Sequence, residues 1–530
     1  MLLSRSCGWL LACLLSLPAL AQTAPPVTAP LDVAAVDAVV ARTLQAFDVP
    51  GIAVAVVKDG QVVLAKGYGL SSLATQAPME ANTLVCIGSC TKAFTTAALG
   101  LLVDEGKLRW DDKVTKYIPE FRMYDPNVTA EFTVRDLLTH RSGLGQGTEN
   151  LMLFPDSTDF TIQDVIHGLR YFKPVSSFRS EYVYDNCLYL VAGEVVARLS
   201  GQPWTSFVET RLLQPLGMRR SASSFARLPD PTNVSDAHSP VEGRVRVVAR
   251  DRSALTGAAG GLYSSVAELS QWVRMLLGGP GAPAPLLSPA TLQELWTPQT
   301  LMPLSPVPSP YNTHFAAYGL GWYLRDVRGY KEVWHTGGTV GMVAKVQLVP
   351  ELHLGIVVLA NQENRAAFTA VSNFIEDHYL GLTGLDRVQE LVAPANALTT
   401  ADTQARAAVW QQVAAAQKAA PKRPDYTPYL GRYHDVWFGD ITVYQQGLQL
   451  WWKAARSPRL VGQLLPYRGT TYVVRWKDRT MAITKDAFTA FALDGQGRAA
   501  SIKMDDILHA PASDFKHLDL LRVPETAVGK

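Results

Sequence analysis

Leu84-Val-Cys-Ile-Gly-Ser-Cys-Thr-Lys-Ala-Phe94 passes from a short apolar run into the start of a helix. That helix is predicted over Ser89–Glu105 and stops at Gly106. Ser89 and Lys92 stand at i and i+3, which puts both on one helical face about one turn apart. A serine hydroxyl is a poor nucleophile until a base takes its proton, and a desolvated lysine of lowered pKa can do so. The helix N-terminus adds a positive dipole and N–H groups beside a reacting carbonyl. Ser-x-x-Lys by itself also occurs by chance on surface helices, so the reading needs company.

Two further stretches supply it. Ser180-Glu-Tyr-Val-Tyr-Asp-Asn-Cys187 contains Tyr184-Asp185-Asn186. A tyrosine near a lysine can pass a proton to a leaving group, and an asparagine amide can hold a substrate amide. Read alone, the stretch is a turn at Asp185-Asn186 with Tyr184 packed on the core. His335-Thr-Gly-Gly338 follows the strand Glu332-Val-Trp334. Glycines there let a substrate backbone lie along a strand edge; alone, they mark an ordinary strand end and turn.

In this order and on these elements, the three pair as Ser-x-x-Lys and Lys-Thr-Gly do in penicillin-binding proteins and β-lactamases. The text around them, Ile87 to Phe94, Val134-Arg-Asp-Leu-Leu-Thr-His-Arg-Ser-Gly-Leu144 and Gly337-Gly-Thr-Val-Gly341, resembles the penicillin-recognising serine hydrolases of the class C β-lactamase, D-Ala-D-Ala carboxypeptidase and esterase branch. The resemblance covers roughly residues 33–385. It implies an α/β (α+β type) fold: a β-lactamase/transpeptidase-like antiparallel sheet flanked by helices, with a helical subdomain. It also implies that Ser89 is the nucleophile, Lys92 the general base and Tyr184 the proton shuttle. Asn186, His335, Thr336 and Gly337 would bind substrate, and the backbone N–H groups of Ser89 and Gly338 would form the oxyanion hole. No cofactor or metal is implied. The chain departs from the pattern in carrying His335 where β-lactamases have lysine, and in placing Cys90 and Cys187 beside motif residues. Tyr429-Leu-Gly-Arg-Tyr433 and Phe438-Gly-Asp-Ile-Thr-Val443 are similar to a lipocalin-like appendage that can support homo-oligomers.

The rest of the chain fits around these stretches. Arg5, the apolar run Gly8–Leu17 and Ala19-Leu20-Ala21 read as a signal peptide over residues 1–21, followed by a Pro/Thr/Ala-rich linker over 22–32. Export to the periplasm or medium is expected, with a lipoprotein, from Leu10-Leu11-Ala12-Cys13, the weaker alternative. Gly51–Val57 and Val62–Tyr68 form a hairpin across Asp59-Gly60. Further strands are predicted at Tyr318–Tyr323, Glu332–His335, Val343–Val349 and Leu354–Ala360, and helices at Ser264–Leu277 and Arg365–Tyr379. Strands at both ends with helices between suggest one sheet assembled from distant segments. Residues 386–428 read as a connector, helical over Thr403–Ala420. Residues 429–530, with short strands at Ile441–Tyr444, Leu448–Trp452, Thr471–Trp476, Phe488–Leu493 and Ala500–Met504, read as a separately folding β-barrel.

Composition narrows the function classes. The 530 residues are 48% hydrophobic and 18% charged with a net charge of +2, which excludes disorder and leaves no basic footprint for nucleic acid. No other run reaches membrane-spanning length. Behind the leader remain Cys86, Cys90 and Cys187, read as buried free thiols. There is no Gly-x-Ser-x-Gly elbow and no HExxH, and His140 is read as a structural residue of its loop. The substrate is expected to be a small molecule or short peptide, its leaving group a D-amino acid, a β-lactam amine or an alcohol. The alternative is a peptidoglycan- or peptide-binding protein that uses the same cleft without turnover. If His335 receives a substrate carboxylate, that attraction should strengthen as pH falls from about 8 to 6.

Overall fold

The computed structural model describes residues 29–524 apart from 242, 254, 307–308, 481–485 and 509–514. The signal peptide, the lipoprotein alternative and most of the 22–32 linker lie outside the described residues.

The central sheet follows from short apolar, β-branched runs bounded by turns. β1 (Gly51–Lys58) and β2 (Gln61–Gly69) form the expected hairpin, and β1 then pairs with β8 (Leu354–Ala360), nearly three hundred residues later. Between them in sequence lie β3 (Thr300–Met302), β4 (Ala316–Tyr318), β5 (Tyr323–Val327), β6 (Tyr330–Thr339) and β7 (Met342–Val349). The eight-stranded antiparallel order is β2-β1-β8-β7-β6-β5-β4-β3. Along β1, Ile52, Val54 and Val56 face a core shared with α1 (Val33–Ala46) and α5 (Arg365–Leu380). Ala53, Ala55 and Val57 face the opposite core, where α4 (Val266–Leu277) packs. Both faces are covered, so β1, β7 and β8 are almost entirely apolar. Edge strand β2 is mostly exposed and carries Lys66 outward, which blunts the edge. On the far side of this second core sit α2 (Thr91–Asp104) and α3 (Cys187–Ser200). The α+β architecture read from the sequence is the observed one.

Two readings are corrected. Tyr318–Tyr323 is a tight turn between β4 and β5, closed by Gly319 N–H donating to Trp322 O at 2.8 Å. Gly321 adopts a positive φ there, and a Cβ would stand 2.6 Å from Thr96 Oγ1, so the aromatic-rich run bends where it meets α2. The connector helix, α6 (Arg387–Ala419), begins sixteen residues earlier than predicted, with the Asp386 side chain capping it. It is polar nearly all round because most of it faces solvent, yet Val413 packs with Leu465, Val473 and Ile507 of the C-terminal domain.

That domain is a closed eight-stranded barrel. Three strands were not foreseen: Gly431–Asp435, Val461–Arg468 and Leu520–Arg522. Val461–Arg468 contains Pro466, which argues against a strand in sequence; the structure accommodates it at a register shift between Pro466 and Arg468. The barrel is filled by aromatic side chains, among them Trp452 and Trp476 in edge-to-face contact at 5.2 Å. It is not an isolated bead. Phe438 stacks on Phe160 of the N-terminal domain and Trp437 packs edge-on against Phe172, while Arg456 pairs with Asp159 and Asp164. One continuous apolar cluster spans both domains. No helix among the described residues is long and apolar enough to cross a membrane.

Candidate active site

A 3-10 turn, Gly88–Cys90, leads into α2, and nearly every residue of that helix is buried because it runs through the core. Ser89 stays half-exposed at its mouth while Lys92, one turn on, is fully buried. Lys92 Nζ lies 3.4 Å from Ser89 Oγ and donates to Asn186 Oδ1 at 2.8 Å and Ala259 O at 3.0 Å. Tyr184 O–H donates to Ser89 Oγ at 2.7 Å. Two separate segments thus meet at one hydroxyl, and a third, at Ala259, holds the lysine.

Burial decides which of these groups holds a proton. It pushes the Lys92 ammonium down to about 7, only partly offset by the negative charges of Asp185 and Glu149. It pushes the Tyr184 phenol well above its usual 10, so Tyr184 remains a donor at neutral pH. An uncharged amine keeps two N–H donors and one lone pair. The Asn186 and Ala259 oxygens take the donors, which leaves the lone pair for the Ser89 proton. The arrangement therefore provides a base and an acid on the same oxygen, with distinct partners.

β6 closes the other side. A Cβ on Gly337 would stand 1.8 Å from Ile87 O and 3.0 Å from Ser89 N, and one on Gly88 would stand 2.5 Å from Gly338 N. Gly88 also takes a positive φ of 51°. Only glycine permits strand and turn to touch, and the contact sets the Gly338 backbone beside that of Ser89.

His335 lies on this strand, but its side chain turns inward and is fully buried. Nδ1 lies 2.6 Å from Thr336 O, which can only accept, so Nδ1 carries the hydrogen; Nε2, 2.9 Å from Tyr318 Oη, then accepts. Burial, with the Lys92 charge second, holds the imidazole well below 6.5. His335 therefore offers no cation near neutrality, and the hydroxyl beside its Nε2 is that of Tyr318. Thr336, half-exposed, and Gly338, exposed, are what the strand presents to the cleft. His140 packs against Tyr184 with ring centroids 4.3 Å apart and accepts Asp185 N–H at 3.3 Å. Cys86, Cys90 and Cys187 are free, buried thiols.

Three groups at the site carry no sequence motif. The Ala259 carbonyl sits on a short turn, Gly257–Gly260. Glu149 is fully buried behind Asn186. Arg365, exposed at the start of α5, reaches within 3.1 Å of where a Gly338 Cβ would stand and places a guanidinium at this end of the cleft. A lone arginine opening a helix gives no sequence signal of this kind.

The sequence pattern of the family described as Beta-lactamase matches residues 36–378, which hold all of these groups. The chain belongs to the Beta-lactamase family. Its fold is that of a serine hydrolase family. Residues 415–521 match a domain of unknown function, DUF3471. Unguisins hydrolase ungD of Aspergillus violaceofuscus is 30% identical over 376 residues, 65% of this chain and 64% of that protein. Protein flp of Staphylococcus aureus is 27% identical over 333 residues, 62% of each. The chain thus spans less than two thirds of these relatives' length. Among solved structures, the octameric penicillin-binding protein homologue from Pyrococcus abyssi superposes with a TM-score of 0.58 at 21% identity, covering 93% of this chain and all of that one. SurE superposes at 0.53 and 19% identity, covering 92% and 99%. Both likenesses extend over hydrolase domain and barrel together.

Proposed function

We propose that this Beta-lactamase family protein is an exported hydrolase that forms an acyl-enzyme on Ser89 with a D-amino-acid peptide or ester carbonyl. The observation that carries the reading is the division of protons at Ser89 Oγ, with a buried lysine lone pair on one side and a phenol donor on the other. Ser89 Oγ bonds to the carbonyl carbon as its proton passes to Lys92 Nζ. The oxyanion rests on the Ser89 and Gly338 N–H groups. As the carbon–leaving-group bond breaks, Tyr184 gives its proton to the departing nitrogen or oxygen and is replenished from Lys92. Asn186, whose Oδ1 is held by Lys92, keeps its NH2 for the acyl amide. Water then attacks the ester with the same groups in reverse. The name of the ungD relative, a hydrolase, agrees with turnover rather than binding alone. A fluorophosphonate label on the wild type, followed by a panel of D-Ala-D-Ala peptide, β-lactam and p-nitrophenyl ester, tests the reading. A wild type that takes no label and turns over none of the panel would sink it.

Acylation is expected to rise with pH through a midpoint near 7, because Lys92 accepts the serine proton only after losing its own and burial has lowered that step to about 7. A lysine of ordinary pKa would put the limb near about 10.4. A midpoint above 9 in the rate of fluorophosphonate labelling would assign the base elsewhere.

Because His335 is uncharged, a substrate carboxylate is read by the guanidinium of Arg365, which can grip it with two N–H donors. Arg365→Ala should raise KM for a carboxylate-bearing D-peptide about tenfold, as for one exposed charge-assisted contact, and leave KM for a neutral ester unmoved. Equal effects on both substrates would rule the anion role out. Light scattering on the mature protein tests the companion proposal that the barrel supports a homo-oligomer.

A further inference from the structure

Glu149 stands just before the short helix Asn150–Leu153, outside every motif quoted above. It is completely buried, which carboxylates rarely tolerate without a partner or a task. One oxygen accepts Asn186 N–H at 2.7 Å, and the other has no hydrogen-bond partner among the described residues. Asn186 Oδ1 in turn accepts from Lys92, and Lys92 lies against Ser89. Contacts therefore run without a break from Glu149 to the nucleophile. The loop is also held from the barrel: Thr148 Oγ1 donates to Gly145 O at 2.7 Å and lies 3.4 Å from His517 Nε2.

We propose that Glu149 is a positioning residue: its carboxylate fixes the backbone of Asn186, which holds the Lys92 amine on Ser89, and its charge sets when that amine is free. The proposal rests on Lys92 being the base. The groups facing Glu149 are Lys92 from α2, Asp185 from the preceding turn and the Cys187 thiol from α3. His140 stands behind Asp185 and is held neutral by burial. Burial, then the Asp185 charge, pushes the Glu149 carboxyl up to about 7, into the range of Lys92 itself. An ionised Glu149 favours the ammonium; removing that charge lets Lys92 lose its proton at lower pH.

Two variants separate charge from reach. Glu149→Gln keeps an oxygen for Asn186 N–H but carries no charge. The midpoint of its fluorophosphonate labelling rate should move down by about half a pH unit or more. Glu149→Asp keeps the charge but falls one methylene short of Asn186. Its midpoint should stay near that of the wild type while the high-pH plateau drops about tenfold, as for one lost charge-assisted hydrogen bond. Thermal melting confirms that each variant is folded, and if the glutamine variant is not, the aspartate plateau decides. A glutamine profile that superimposes on the wild type, or an aspartate plateau equal to it, overturns the proposal. A wild type that is unlabelled, or labelled as well with Ser89→Ala, instead overturns the acyl-enzyme reading beneath it.

Discussion

Ser89→Ala is expected to remove covalent labelling and to lower turnover by at least about 10⁴-fold, the scale seen when a nucleophile is deleted from a unit that acts together. The loss should be chemical and not structural, because Ser89 is half-exposed and, among the described residues, its hydroxyl bonds to Tyr184 and Lys92. Melting should therefore stay close to that of the wild type. Lys92→Met, which fills similar space in the core, should cost acylation about 10²–10⁴-fold. Residual turnover in Ser89→Ala near the wild-type rate would point to a different nucleophile.

Deleting residues 421–530 should lower the melting temperature by about 10 °C or more. The deletion uncovers Phe160 and Phe172, which now lie against Phe438 and Trp437. Each aromatic ring returned to water costs roughly 1.5–3 kcal/mol, and in a domain of this size each kcal/mol is about 2–4 °C. Asp156, Asp159 and Asp164 also lose their arginine partners, Arg459 and Arg456. The truncated protein should still label at Ser89, since Ser89, Lys92, Tyr184, Asn186 and Gly338 all precede the cut. An unchanged melting temperature would mean that the shared core contributes nothing. A folded but unlabelled truncation would mean that the barrel completes the site, with the His517 contact to Thr148 the first place to look.

Much of this was legible in the residues because it is local. The short apolar, β-branched run Gly51–Val57, closed by the Asp59-Gly60 turn, reads as a strand whatever follows it, and Ser89 and Lys92 share a face on any helix. The helix, the loop and the strand that bear the chemistry could be ordered from three short stretches. The barrel was legible as strands but not as a count, since Pro466 hides one behind a bulge. Charge state was not legible. His335 stands in the motif as a potential cation, and only its burial against Tyr318 and Thr336 makes it neutral. Lys92 is an ordinary lysine until residues 94 and 167 positions away close around it. Glu149 and Arg365 reach the site through what the fold brings together, not through their neighbours in sequence. Spacing fixes which side chains point together over one turn. Solvation and the distance between charges, which set pKa and so decide acid from base, arise only when remote segments pack and exclude water.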